Sequence, residues 1–316
     1  VNIVYFGTPD FSARILSYLL EHDIHVLAVV SKPDKPKGRS RRLIPTPVKE
    51  VAERRGIPLY QPDRASDPGL DKTLSALSPD LFVVVAYGEI LKQQLLEIPR
   101  VACINLHTSL LPKYRGAAPI QHAVIAGEKE TGATVMHMTK KMDAGDIIKQ
   151  KKVLIDQQDT FGEVQDKLLA IGAPLLYESI IDFSKGIENR IVQDESLVSF
   201  APKIELEDCE INWRQPAEKI YNLVRGVNPY PGAWTRVDMQ GEIKRIKIYT
   251  CTIQEELSIE PGKCIITNKN RLYVGTATEA LEIIELQLEG KKRMSAGDLL
   301  RGMKIDMMRI NWEDTK

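Results

Sequence analysis

Asn105 and His107 stand two residues apart at the end of an apolar, partly β-branched run, Val101-Ala-Cys-Ile104, and Asp143 follows on a later, glycine-flanked segment, Met142-Asp143-Ala-Gly145-Asp146. Such a run reads as a buried strand, and a strand presents residues two apart on one face. An amide, an imidazole and a carboxylate brought together can manage charge that develops on a carbonyl oxygen. Asn105 can donate to the oxyanion, His107 can supply charge or a proton, and Asp143 can orient and charge the imidazole. The Asn-x-His pair alone fits a plain strand end with a solvated histidine. The flanking Ser109-Leu-Leu-Pro112 and the Asp143 segment turn the reading toward chemistry.

The elements that must position these groups alternate along the first half of the chain. Strands are expected at 1–6, 25–30, 57–60, 81–86 and 102–106, and helices at 11–21, 47–55, 70–77 and 119–126. Thr46 is read as an N-cap with Pro47 at the first helical position. Strands at 133–138 and 147–154 form a hairpin-like addition around Asp143, and a long amphipathic helix at 161–183 closes the unit. This alternation predicts an α/β, Rossmann-like, mainly parallel sheet with helices on both faces, whose ligands sit at the carboxyl ends of the strands. Asn105 and His107 lie at such an end. Residues 1–185 are read as the catalytic domain and 186–206 as a polar linker. Residues 207–316, with several short strands and two helices, are read as a C-terminal OB-like β-barrel domain, a type that often carries nucleic acid.

The segment from Lys32 to Arg42 holds six basic residues and one acid in eleven positions, broken by Pro33, Pro36 and Gly38. It can be neither a helix nor a buried strand. As an exposed cationic loop after the second strand it would contact a polyanion close to the chemistry, giving salt-dependent and largely sequence-independent affinity. A solvated surface loop is the plainer alternative. Lys244-Arg-Ile-Lys247 and Lys291-Lys-Arg293 are shorter basic clusters, and Trp213, Trp234 and Trp312 read as core or interdomain residues. Gly7-Thr-Pro-Asp-Phe11 occupies a strand-to-helix turn, but it has neither Gly-x-Gly-x-x-Gly nor the Gly-Lys-Ser/Thr of a P-loop, so NAD and ATP are set aside.

Acidic and basic residues balance at 43 each. A balanced composition leaves room for a local basic patch. The four cysteines are scattered, with no Cys-x-x-Cys pair, which fits reduced thiols better than a disulfide framework or a zinc site. No apolar run approaches the roughly 20 residues that span a bilayer, and the first residues carry no basic leader pattern. The expectation is a soluble, cytoplasmic monomer with no membrane partner and no metal.

Asn105-x-His107-x-Ser109-Leu-Leu-Pro112 with the Asp143 segment resembles the signature of folate-dependent formyltransferases. The longer run Ser109-Leu-Leu-Pro-Lys-Tyr-Arg115-Gly116-Ala-Ala-Pro119-Ile-Gln121 is similar to the branch that formylates a charged tRNA. Phe6-Gly7-Thr-Pro-Asp-Phe11, the Pro-Asp-Lys-Pro-x-Gly-Arg39 stretch and Asn228-Pro-Tyr-Pro-Gly-Ala-Trp234 agree with that branch. The resemblance extends over nearly the whole chain. It implies 10-formyltetrahydrofolate as donor and the amino group of methionyl initiator tRNA as acceptor, in translation initiation. It also implies Asn105, His107 and Asp143 as the catalytic set. Folate contacts would come from Tyr87, Gly88, Ile90, Leu91, Ser109, Leu110, Pro112 and Asp143, largely through backbone groups around a flat heterocycle. Lys35, Lys37, Arg39, Arg41 and Arg42 would face the tRNA, with Arg39 foremost.

Three rivals stay open on the sequence. A formyltransferase acting on a small amine such as a sugar nucleotide would keep the catalytic set but leave the cationic loop without purpose. A formyltetrahydrofolate hydrolase would need no nucleic-acid surface. An RNA-binding protein on an inactive scaffold would have no reason to keep all three polar groups.

Overall fold

A computed structural model describes residues 1–37, 42–239, 241–267, 270–301 and 308–310. The chain divides into two compact units: one comprises 1–119, 130–154 and 165–202, the other 120–129, 155–164 and 203–316.

The first unit is built on seven strands: β1 (Asn2–Gly7), β2 (His25–Val30), β5 (Leu59–Tyr60), β6 (Leu81–Val85), β7 (Ala102–His107), β8 (Glu130–His137) and β9 (Ile147–Leu154). Their order is β5-β2-β1-β6-β7-β8-β9. The pairs from β5 to β7 are parallel and the two beyond are antiparallel. The predicted mainly parallel sheet with a hairpin extension is therefore the observed one. Every residue of β6 is buried, as a central parallel strand covered on both faces requires.

Helices α1 (Asp10–Glu21), α2 (Pro47–Arg55), α3 (Leu70–Ala76), α4 (Gln93–Leu96) and most of α6 (Phe161–Ser184) belong to this unit, whereas α5 (Pro119–Ile125) falls almost wholly in the other. The Tyr5 hydroxyl donates to the Ser12 carbonyl of α1 at 2.8 Å, and Leu106 packs at Gly172 of α6, so these two helices cover one face. Residues of the alternate phase, among them Val4, Phe6, Phe82, Val84 and Cys103, form a second core with Leu70 and Leu74 of α3 and Leu95 of α4. The second helix shows how local sequence sets an element. Thr46 accepts the Lys49 N–H at 3.2 Å, Pro47 opens the helix, and Gly56 closes it in the left-handed region at φ +65°.

The predicted cationic loop is in part a ribbon: β3 (Lys35–Lys37) pairs antiparallel with β4 (Arg42–Ile44). Both strands are edges, which lets Pro36 sit in one without costing a ladder hydrogen bond. Lys35, Leu43 and Ile44 are exposed.

The second unit holds α7 (Ala217–Gly226), β10 (Ala233–Met239), β11 (Glu242–Gln254), β12 (Cys264–Ile266), β13 (Leu272–Val274), β14 (Ala280–Leu288), β15 (Met294–Ser295), α8 (Ala296–Arg301) and β16 (Met308–Ile310). The strands form an antiparallel sheet in the order β12-β13-β14-β11-β10-β16, with β15 added on β14. Register shifts in long β11 near Thr250 bend it, giving the half-barrel form of the expected OB-like domain. Trp213, Ile220, Val224, Val237, Ile246 and Leu286 lie in its core.

Candidate active site

Parallel pairing of β1, β6 and β7 brings three carboxyl ends to one edge of the sheet: Gly7, the turn after Val85, and His107. On β7, Leu106 goes into the helical face, so Asn105 and His107 share the opposite one, as their spacing predicts. His107 is buried, and Asn105 is half-buried with no side-chain hydrogen bond among the described residues.

The imidazole is fixed at one nitrogen and open at the other. Nε2 lies 2.9 Å from the carbonyl oxygen of Tyr114. A carbonyl can only accept, so Nε2 carries the hydrogen and Nδ1 is left to face the site. Nδ1 stands 3.8 Å from Oδ2 of Asp143, beyond hydrogen-bond length but within ion-pair reach once the ring is protonated. The same Oδ2 accepts the backbone N–H of Gly116 at 2.8 Å. The structure thus brings together the three residues expected to form the catalytic set.

Asp143 sits in the left-handed region at φ +50°, a conformation that a non-glycine residue holds only when its surroundings impose it. They do so closely. A Cβ on Gly145 would meet the His137 carbonyl oxygen at 1.8 Å, so only glycine permits the turn to close against β8. Gln193 donates to the carbonyls of both Asp143 and Gly145. Its own oxygen accepts from Arg115, a residue only 1% exposed. Arg115 also binds Glu195, and with Lys141 it holds that carboxyl down to about 2. The backbone at Arg115 exchanges hydrogen bonds with Ser199 and Ala201. Segment 186–206, read as a linker, therefore supplies part of the support of the Asp143 turn. Sequence reasoning missed Gln193, because one polar residue in an irregular stretch carries no periodicity.

The expected folate segment follows β6. Tyr87 is buried among Phe6, Phe82 and Leu91, and Thr8 donates to its carbonyl at 3.0 Å. The Tyr87 hydroxyl is buried without a partner among the described residues. Burial, reinforced by Glu89 and Asp67, pushes its pKa up, so it remains a neutral donor. Gly88 and Ile90 are exposed, whereas Leu91 is buried and can offer only backbone outward. Glu89 was not anticipated: it pairs with Lys32 and accepts the Ala65 N–H, bracing the segment. Burial opposes ionisation of Glu89, but the Lys32 and Ala65 bonds outweigh it and lower its pKa.

On the other side, Ser109 is fully buried, with its hydroxyl on the Lys113 carbonyl and its own carbonyl taking the Thr134 hydroxyl. Its role in the structure is to shape the turn. Leu110 packs at Gly132, and Pro112 is half-buried after Leu111.

Among the basic residues, Lys35 is exposed, the backbones of Lys37 and Arg42 pair across the ribbon, and Arg39 and Arg41 lie outside the described residues. Asp34 ties the base of the ribbon to α2 through Lys49 at 2.7 Å and to Gln61 at 2.8 Å, and these partners lower its pKa.

In the second unit the short basic clusters resolve by strand phase. Trp234 pairs with Lys247 and Arg236 with Arg245, on the face opposite Thr235, Val237 and Ile246. Arg245 stacks 4.3 Å from the Trp234 ring and Arg293 4.2 Å from the Tyr249 ring. Lys244 falls on the other phase. Trp213 and Trp234 are buried in this unit, as expected of core residues, and Trp312 lies outside the described residues.

Comparison with known proteins gives a family for both parts of the chain. The formyl transferase family matches residues 1–180, and the formyl transferase C-terminal domain matches 203–304. A methionyl-tRNA formyltransferase of Protochlamydia amoebophila (strain UWE25) is 52% identical over 310 residues, 98% of each chain. One from Staphylococcus aureus (strain MW2) is 44% identical over 304 residues, 95% of this chain and 96% of the relative. Among solved structures, WlaRD, a sugar 3N-formyl transferase crystallised with dTDP and 5-N-formyl-THF, superposes with a TM-score of 0.67 at 18% identity, covering 92% of this chain and 99% of its own. HypX from Aquifex aeolicus in complex with tetrahydrofolic acid gives 0.65 at 17% identity, over 98% of this chain and 50% of that one. At these identities the two structures speak for the fold alone.

Proposed function

Because the chain belongs to the methionyl-tRNA formyltransferase family, we propose that Asn105, His107 and Asp143 carry its formyl transfer. The enzyme moves a formyl group from 10-formyltetrahydrofolate to the α-amino group of methionyl initiator tRNA, for translation initiation. The observation that supports the residue assignment best is the geometry at the end of β7. An amide and an imidazole share one strand face, and a carboxylate is held 3.8 Å from the imidazole nitrogen that Tyr114 leaves uncommitted.

The uncharged amine of the methionyl group attacks the formyl carbon and produces a tetrahedral oxyanion. Asn105 donates to that oxygen, and protonated His107 adds charge beside it. One oxyanion donor is worth about 10²–10³ in rate. The Asp143 carboxylate faces the imidazole and, directly or through one water, helps the amine lose its proton. Acid–base help of this kind contributes roughly 10²–10⁴. Collapse of the intermediate breaks the bond to N10 of the folate, which departs as a neutral amine after taking a proton.

The folate is placed along Tyr87–Leu91 and the Asp143 turn. Exposed backbone at Gly88 favours that placement, since it can meet a polar heterocycle. Leu110 and Pro112 form its wall, and Ser109, buried behind them, shapes the turn that presents them. The tRNA meets the ribbon and loop carrying Lys35, Lys37, Arg39, Arg41 and Arg42. Residues 207–316 hold the acceptor stem through phosphates, and the Arg236, Arg245 and Arg293 face supports this reading. We assign residues 1–185 to catalysis and 186–206 to a connection that also braces the Asp143 turn through Gln193, and we take the chain to act as a cytoplasmic monomer, since one chain supplies the whole catalytic set. No helix among the described residues is long and apolar enough to cross a membrane.

The test is formyl transfer from 10-formyltetrahydrofolate to charged initiator tRNA, beside elongator methionyl-tRNA and a tRNA-free reaction. Selective formylation of the initiator is the expected result. Folate turnover without tRNA formylation would replace this reading with a hydrolase or a small-amine formyltransferase.

A further inference from the structure

Behind the Asp143 turn runs a polar network that does not reach the reacting atoms. Gln193 is 5% exposed, and its Nε2 donates to the Asp143 carbonyl at 2.9 Å and the Gly145 carbonyl at 2.7 Å. Its Oε1 accepts from Nε of Arg115 at 3.1 Å and from Nη2 at 2.8 Å. The guanidinium reaches on to Glu195, whose second oxygen takes Nζ of Lys141 at 2.9 Å. The residue after Arg115 is Gly116, whose N–H holds the Asp143 carboxylate at 2.8 Å. The network therefore closes on itself: Gly116 grips the side chain of Asp143, while its neighbour Arg115, through Gln193, grips the backbone.

Asp143 needs that double grip. Its φ of +50° is strained for a residue with a Cβ, and such strain persists only where neighbours over-determine the conformation. One amide group bonded to two carbonyls of the same turn does this. A single glutamine can do so only if its other end cannot rotate away, and the buried Arg115 fork fixes that end. From this geometry we propose that Gln193, clamped by Arg115, is a positioning residue for formyl transfer, setting the distance between the Asp143 carboxylate and Nδ1 of His107. The proposal rests on the formyl-transfer reading of the same site.

Two variants separate positioning from mere packing. Gln193→Glu keeps the size and the acceptor that faces Arg115, but it turns an oxygen toward two carbonyls. Gln193→Leu removes both ends of the clamp. For each, kcat and the KM for charged initiator tRNA and for 10-formyltetrahydrofolate are measured across pH, with hydrogen exchange of the amides from 138 to 146 and Tm alongside. Misplacement of a reacting group by about an ångström lowers turnover on the order of a hundredfold. The expected result is a fall in kcat of about tenfold to a hundredfold in both variants. The tRNA KM should stay within about twofold, the acid limb of the pH–rate profile should move, and the loop amides should exchange faster.

A lower Tm or faster loop exchange with the wild-type kcat and pH profile would overturn the proposal. So would an effect confined to KM. If Gln193→Leu does not fold, Gln193→Glu decides. Inactivity of the wild-type chain toward charged tRNA would overturn the reading of the reaction, and the proposal with it, and the wild-type control identifies that case.

Discussion

Oδ2 of Asp143 stands 3.8 Å from Nδ1 of His107 while accepting the Gly116 N–H at 2.8 Å. One oxygen is thus anchored to backbone and aimed at the imidazole at the same time. The opposite ring nitrogen is spent on the Tyr114 carbonyl, so the imidazole cannot turn to offer the other atom. Proton traffic at this site must pass through Nδ1.

Replacing His107 by Ala should lower kcat by about 10²–10⁴, the range for a lost acid–base group. Asp143→Asn keeps an acceptor for Gly116 but removes the charge, and it should lower kcat while the turn stays in place. Neither change touches the cationic ribbon, so tRNA affinity measured by filter binding should remain that of the wild type. Loss of binding in step with turnover would place these residues in substrate binding instead.

Gly116 lies at φ +129°, and a Cβ there would stand 2.5 Å from the Ala201 carbonyl oxygen. Gly116→Ala should cost about 1–3 kcal/mol through strain alone. It also moves the N–H that anchors Asp143, so kcat should fall together with Tm. A variant with wild-type turnover would show that the carboxylate does not depend on this anchor.

What was legible in the sequence followed physical periodicity. The apolar run of β6, the Thr46–Pro47 helix start and the two-residue spacing of Asn105 and His107 are local signals, and each is realised as read. The pairing of β3 with β4 was not legible, because prolines and cations mark exposure but do not exclude an isolated ribbon. Gln193 was hidden for another reason. It lies 50 residues beyond Asp143 in sequence, and only the folded chain brings its amide to that turn. In the second unit, strand phase decided what composition left open, placing Arg245 and Arg236 on one face and Lys244 on the other.

His137 ends β8, and its N–H donates to the Asp146 carbonyl at the base of the catalytic turn. Burial lowers the pKa of its ring, Arg190 adds to this, and Glu188 and Asp146 offset it in part. Phe183 packs edge-on against the ring. With the folded value below the ordinary value of about 6.5, the unfolded chain binds the proton more readily. The resulting stability is complete above that ordinary value and is lost as pH falls toward the folded one, by at most about 1.4 kcal/mol per pH unit. Between pH 7.5 and 5.5 the wild type should lose more Tm than His137→Gln. Equal losses would assign the acid sensitivity to other groups.

Arg39→Ala should raise the tRNA KM or lower kcat with folate binding unchanged. The sequence from Lys32 to Arg42 is rich in cations, and its described part, the ribbon, follows the carboxyl end of β2. If both tRNA parameters stay at wild-type values, the segment is a solvated surface only.

Arg245 lies against the Trp234 ring, and Arg293 lies against the Tyr249 ring while pairing with Glu285 at 2.6 Å, which holds both guanidinium groups in place and leaves both side chains exposed. A cation held this way meets a phosphate with less side-chain entropy to lose than a freely rotating one. Each phosphate contact releases condensed counterions, so binding should weaken steeply with salt. Arg245→Ala and Arg293→Ala should each lower tRNA affinity and reduce the slope of log K against log salt by about one. His107→Ala, which removes catalysis without removing a phosphate contact, should leave that slope unchanged. If the arginine variants weaken binding with the wild-type slope, the two side chains support the sheet and do not neutralise phosphates.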